Sequence, residues 1–264
     1  MRKLVVVALA GILTLAVSAI AIAASATSGN TVQNYEQTYS QKKPKKSTGT
    51  TFSTSSTDDT NTAKNRQPKR VTNFDIKFPP GTKINSKAIP QCKATDSSFA
   101  NAETPDEACP KGSRLGKPGA KGDGKVAARL PFDSPLGDVD GEVFAYNANK
   151  GLLLFVNLQE ANQTLVLRPK FSGLTLKTTV PHSCVPPNRP DQDCRPNGTG
   201  EPQEAILVDF ALKTLPRSSG SGAKRKQLIT TPPSCPSGGW TFTATIKYAD
   251  GTSVKIPTKS PCSR

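Results

Sequence analysis

Six cysteines, Cys92, Cys109, Cys184, Cys194, Cys235 and Cys262, set the first limit on how this chain folds. An even set of thiols in an exported chain is read as a disulfide framework. Six thiols allow about 15 connectivities, and the spacing groups them as neighbours: 92 with 109, 184 with 194, and 235 with 262. Each pair closes a short loop, worth roughly 2–4 kcal/mol in the chain-entropy account. A zinc site would need close Cys or His pairs such as C-x-x-C. Here the single histidine, His182, lies two residues before Cys184, and no other such pair occurs. No metal and no cofactor are expected.

The oxidising compartment is argued from the N-terminus. Met1-Arg2-Lys3, the apolar run Leu4 to Ala23, and the small-residue sites Ala21-Ile22-Ala23 and Ala24-Ser25-Ala26 follow the order of a secretory signal. Residues 1–26 are therefore expected to be a signal peptide, and the protein to be extracellular or at the cell surface. Left uncleaved, about 20 apolar residues would span a bilayer, and membrane contact is expected only in that case. Residues 27–70 are Ser, Thr, Asn, Gln and Lys with hardly any branched aliphatic residue, and read as a disordered linker unable to offset its ordering entropy. That leaves residues 71–264 for one domain.

Period-two alternation dominates there. Val71 to Phe78 alternates, with Thr72, Phe74, Ile76 and Phe78 expected inward. Further strands are expected at Val126–Phe132, Gly141–Tyr146, Leu165–Leu167, Leu174–Val180, Ala205–Leu212, Trp240–Tyr248 and Ser253–Ile256. Gly151 to Val156 is continuously apolar, as a strand covered on both faces would be. Asn149-Lys150 and Asp250-Gly251 read as hairpin turns. Only Ala94 to Ala108 has room for a helical turn or two. The expected fold is all-β, an antiparallel β-sandwich-like single domain with disulfide-closed loops.

Phe78-Pro79-Pro80-Gly81-Thr82-Lys83, Ile89-Pro90-Gln91-Cys92, Ala108-Cys109-Pro110-Lys111-Gly112-Ser113, Gly151-Leu152-Leu153-Leu154 and Thr231-Pro232-Pro233-Ser234-Cys235-Pro236 resemble a group of uncharacterised exported actinobacterial proteins. The resemblance implies a secreted, disulfide-bearing, β-rich domain and carries no site residues. The pair Cys184 and Cys194 looks like an addition to that pattern.

Net charge is +15, and it is unevenly spread: +2 over residues 1–26, +5 over 27–70 and +8 over 71–264. A basic exported chain is attracted to anionic surfaces. The candidate polyanion contacts are Lys42, Lys43, Lys45 and Lys46 in the linker, and Lys224, Arg225 and Lys226 in a loop. Anionic cell-wall polymers or another envelope protein are the expected partners. Nucleic acid is not, since export removes the chain from it and no aromatic-plus-basic motif is present.

No catalytic motif is found, and the chain is expected to be non-enzymatic. With one histidine flanked by a crosslinked cysteine, neither a Ser-His-Asp nor a Cys-His nucleophile can be assembled. Asp138-Val139-Asp140-Gly141 resembles part of a calcium loop but lacks its remaining ligands. An exported hydrolase using Asp138, Asp140 or Glu142 is the alternative, and it requires those carboxylates to converge. A secreted inhibitor presenting the proline-rich loop Pro181 to Pro202 is the other.

Overall fold

A computed structural model describes residues 23–58, 67–100, 102–129, 138–158, 160, 163–182, 184–185 and 203–263. Thirteen strands form one sheet: β1 (Ala24–Ser28), β2 (Thr31–Tyr39), β3 (Thr50–Asp58), β4 (Val71–Lys77), β5 (Gly124–Arg129), β6 (Asp138–Ala148), β7 (Gly151–Leu158), β8 (Gln163–Leu167), β9 (Lys170–Ser172), β10 (Thr175–Thr179), β11 (Ile206–Lys213), β12 (Trp240–Tyr248) and β13 (Ser253–Ser260). Their spatial order is β1-β2-β3-β11-β5-β6-β7-β9-β10-β4-β12-β13, with β8 paired to the second half of β7. Every described pairing is antiparallel.

The path returns on itself. β1 comes to lie beside β13, and the hydroxyls of Ser28 and Thr252 meet at 2.9 Å. The result is the expected all-β, antiparallel architecture, with the two faces of the sandwich supplied by one nearly closed, barrel-like sheet. The only α-helix among the described residues is α1 (Asp96–Ala100), inside the first disulfide loop.

The linker reading of residues 27–70 is corrected where they are described: they supply the end of β1, all of β2 and all of β3. The reason lies in what β2 buries. Thr31, Gln33, Tyr35, Gln37 and Tyr39 alternate inward, so the strand has a core face built from hydroxyls, amides and rings instead of aliphatic carbon. Their polar atoms are partnered internally. The Gln33 amide nitrogen donates to Thr54 Oγ1 at 2.6 Å and to the Ser55 carbonyl at 3.0 Å, Ser56 Oγ donates to Gln33 Oε1 at 2.6 Å, and the Tyr35 hydroxyl donates to Gln37 Oε1 at 2.6 Å. The ordered domain therefore reaches back to Ala24, past the expected boundary at Val71. The rest of the expected signal peptide, residues 1–22, lies outside the described residues.

The inner core is aromatic. Tyr39 meets Trp240 edge-on at 5.4 Å and Phe242 at 4.7 Å, and Phe52 meets Phe74 and Phe210 at 5.4 and 5.7 Å. A second, smaller cluster lies outside the barrel wall, where Cys92, Phe99 and Cys109 cover Tyr146, Leu153 and Phe155. That explains the continuous apolar run of β7, which is buried on both faces. In β4 the inward set is Val71, Phe74, Ile76 and Phe78, since a bulge between Lys247 and Tyr248 shifts the register at the start of the strand and turns Val71 inward in place of Thr72.

Candidate functional site

The loops are distributed unevenly between the two ends of the barrel. Residues 40–49, 78–93, 110–122, 149–150 and 214–239 leave the sheet at one end, where β2, β6, β11 and β4 finish. None of these five segments contains an aspartate or glutamate, and each carries lysine or arginine. At the opposite end Asp58, Asp138, Glu160 and Asp250 stand beside Lys69, Arg70 and Arg129. Residues 94–109, which join the second and third of these segments and pack on the wall at Tyr146, carry Asp96, Glu103, Asp106 and Glu107, so cationic side chains predominate at this pole without being its only charges.

Both sequence-level basic clusters fall on this pole. Lys42, Lys43, Lys45 and Lys46 are exposed, on a loop whose backbone is held in place. The Lys45 amide donates to the Pro232 carbonyl at 3.2 Å, the Thr231 amide to the Lys46 carbonyl at 3.0 Å, the Thr231 hydroxyl to the Lys43 carbonyl at 2.8 Å, and the Ser263 amide to the Lys42 carbonyl at 2.9 Å. Gly49 ends the loop so close to Thr214 that a Cβ there would lie 2.0 Å from the Thr214 carbonyl oxygen. Lys224, Arg225 and Lys226 are exposed on a hairpin closed by Ser218–Ser219 pairing with Lys226–Gln227. Arg225 Nε donates to Ser218 Oγ at 3.1 Å. Among the described residues none of these seven side chains is in an ion pair. Sequence reasoning missed Lys83, Lys87, Lys111 and Lys117, which join the pole only because the 78–123 insertion folds back across it.

The carboxylates of the alternative reading are arranged differently. Asp138, Asp140 and Glu142 alternate along one outer face of β6, roughly 7 Å apart at each step of two residues. Arg129 chelates Asp138, with Nη2 to Oδ2 at 3.1 Å. Asp140 and Glu142 border a shallow depression together with Lys121, Lys125 and Glu160. Burial, opposed by Arg129 and assisted by Asp138 and Asp140, raises the Asp209 carboxyl above its ordinary range. Among the described residues no three His, Cys, Asp or Glu side chains come together to hold a metal ion.

Two disulfides are formed as expected, Cys92–Cys109 and Cys235–Cys262. They accord with an oxidising, non-cytoplasmic environment. The pairing of Cys184 with Cys194, and most of the proline-rich loop, lie outside the described residues. Arg114, Asp123 and Tyr146, all buried, and the exposed Asp106 form a polar knot that fastens the 106–123 segment to β6. Among the described residues no helix is long and apolar enough to cross a membrane. No protein family, curated protein or solved structure matches the chain.

Proposed function

We propose that this is a non-enzymatic, exported module of the cell envelope that binds an anionic, phosphate-bearing wall polymer through the cationic pole of its barrel. The observation that carries the reading is the excess of cationic side chains at one end, where Lys42 to Lys46 and Lys224 to Lys226 stand exposed on anchored backbone with no ion-pair partner among the described residues. Such an array attracts an extended polyanion without needing a pocket, and the anchoring lowers the entropy lost on contact. The two disulfides support an oxidising, non-cytoplasmic setting.

The test is co-sedimentation of the folded protein with purified cell wall over a range of salt, before and after chemical removal of wall phosphate. Binding should fall steeply from low to high salt, as screening requires. It should also weaken when Lys42, Lys43, Lys45 and Lys46 are changed together to glutamine. Salt-independent sedimentation, or sedimentation indifferent to phosphate removal, would refute the electrostatic account.

A further inference from the structure

β1 brings the wall round to its starting point, and it begins abruptly. Ala23 is exposed and belongs to no strand, whereas Ala24 to Ser28 pair residue by residue with Tyr35 to Thr31 of β2. Ala24 and Ala26 pack against the inner core, and Ser25 and Thr27 between them are exposed. On its other side β1 lies beside β13, where the Ser28 hydroxyl meets Thr252 and accepts from Lys69 Nζ at 3.1 Å. Short as it is, the strand is held from both sides.

The small-residue sites Ala21-Ile22-Ala23 and Ala24-Ser25-Ala26 relate differently to this strand. A signal peptidase requires small side chains at the first and third residues before the bond it cuts. At the first site that bond is Ala23–Ala24, and cutting it leaves β1 whole. At the second it is Ala26–Thr27, and cutting it removes three of the five residues of β1. Only the pairs Thr27 with Val32 and Ser28 with Thr31, next to the turn, would remain. Gln33 and Tyr35 would lose their partner strand, and the core its cover by Ala24 and Ala26. A sheet edge bared in this way is a template for pairing with other chains. Once the barrel has formed, the second site is also closed to a peptidase, because cleavage needs an exposed segment free of its ladder.

We propose that the chain is processed between Ala23 and Ala24, so that the mature protein begins with the first residue of β1. The inference rests on the export reading and goes beyond it by fixing the bond. Hydrolysis by a membrane-bound signal peptidase adds the hydroxyl of water to the Ala23 carbonyl carbon and a proton to the Ala24 nitrogen. The leader departs with a carboxylate on Ala23, and β1 acquires an α-ammonium on its first residue. Relative to the expected signal peptide of residues 1–26, the cut returns to the domain three residues, two of which the core uses.

The experiment is export of the complete chain from a bacterial host, followed by intact-mass measurement of the released protein. A single species starting at Ala24 is expected. Ala23→Leu, at an exposed position outside the sheet, places a large side chain before the bond and should abolish that species, leaving precursor or a chain starting at Thr27. Chains starting at Ala24 and at Thr27 are then compared by thermal unfolding. The shorter should melt at least about 2–4 °C lower, and its failure to fold would support the proposal in the same way. A released protein starting anywhere other than Ala24, an unchanged product from Ala23→Leu, or equal melting of the two chains would each overturn the inference. Full-length chain retained in the membrane would overturn the export reading with it, whereas a different start in released protein removes this inference alone.

Discussion

Arg114 Nε lies 3.2 Å from both carboxylate oxygens of Asp123, and the two side chains are 5% and 0% exposed. The same guanidinium donates to Asp106 Oδ2 at 2.5 Å and to the Ala120 carbonyl at 2.9 Å, while Asp123 Oδ2 accepts the Ala145 amide at 2.9 Å. Removing one partner strands a buried charge. Arg114→Met should therefore cost about 3–5 kcal/mol, and the double change Arg114→Met with Asp123→Leu less than that, because no buried charge is left alone. Urea unfolding of the three proteins measures both quantities.

Residues 24–58 are part of the barrel, so a chain beginning at Val71 should not fold. It would expose the inward faces of β11 and β12, including Phe210, Trp240 and Phe242, which β2 and β3 cover. Within the full chain, Gln33→Ala should cost about 1–3 kcal/mol by stranding Ser56 Oγ and the Ser55 carbonyl. Amide dispersion in proton NMR spectra of the truncated chain, and the unfolding midpoint of Gln33→Ala, test the two statements.

The acid limb of stability should carry a contribution from the clamp between Lys69 and Asp250, whose Nζ and Oδ2 are 2.7 Å apart. Lys69, then the Thr252 hydroxyl and amide, hold the Asp250 carboxyl down at about 2. A depressed carboxylate stabilises the fold above its unfolded titration, near pH 4, and that contribution disappears as the pH falls through the folded value. Melting temperatures of the protein and of Asp250→Asn should thus differ at pH 6 and converge toward pH 2. The group is fully exposed, so the gap should be small and should shrink in salt.

Replacing Cys92 and Cys109 by serine reopens a loop of 17 residues and should lower stability by about 3 kcal/mol. The loss should be concentrated in the outer cluster around Phe99, leaving the inner core to unfold later. Hydrogen exchange read at Tyr146 and Phe155 against Phe242 separates these regions.

Gly49→Ala is expected to destabilise by roughly 1–3 kcal/mol, since the added methyl meets the Thr214 carbonyl and neither backbone has room to move. It should also loosen the loop carrying Lys42 to Lys46. Proteolysis within that loop, compared with the parent protein, is the measurement.

Much of the fold was legible in the chain. β6, β11, β12 and β13 fall where alternation of large apolar residues places them, β7 where a continuous apolar run does, the turns at Lys150 and Gly251 adopt the positive φ that hairpins demand, and Trp240 is core. β2 and β3 were hidden because, Phe52 apart, their inward faces are Thr, Gln, Ser and Tyr, which single-residue hydropathy counts as solvent-facing. Their burial is made possible by partners more than 20 residues away, such as Thr54 and Ser56 for Gln33. The basic clusters were visible as runs of charge, but the pole they share was not. Lys42 to Lys46 and Lys224 to Lys226 share one end because the β2–β3 and β11–β12 connections leave the sheet on the same side, where Thr231 bonds to Lys43 and Lys46.

β1 runs away from the cationic pole and β13 runs toward it, so the chain enters the barrel from the side on which it leaves, with Ser263 bonded to the Lys42 carbonyl. Chain order is therefore incidental to the closed wall. A linker rejoining the ends, with new termini cut at the 172–175 turn, would yield a circular permutant with the same strand pairings, its severed turn lying at the cationic pole beside Phe78.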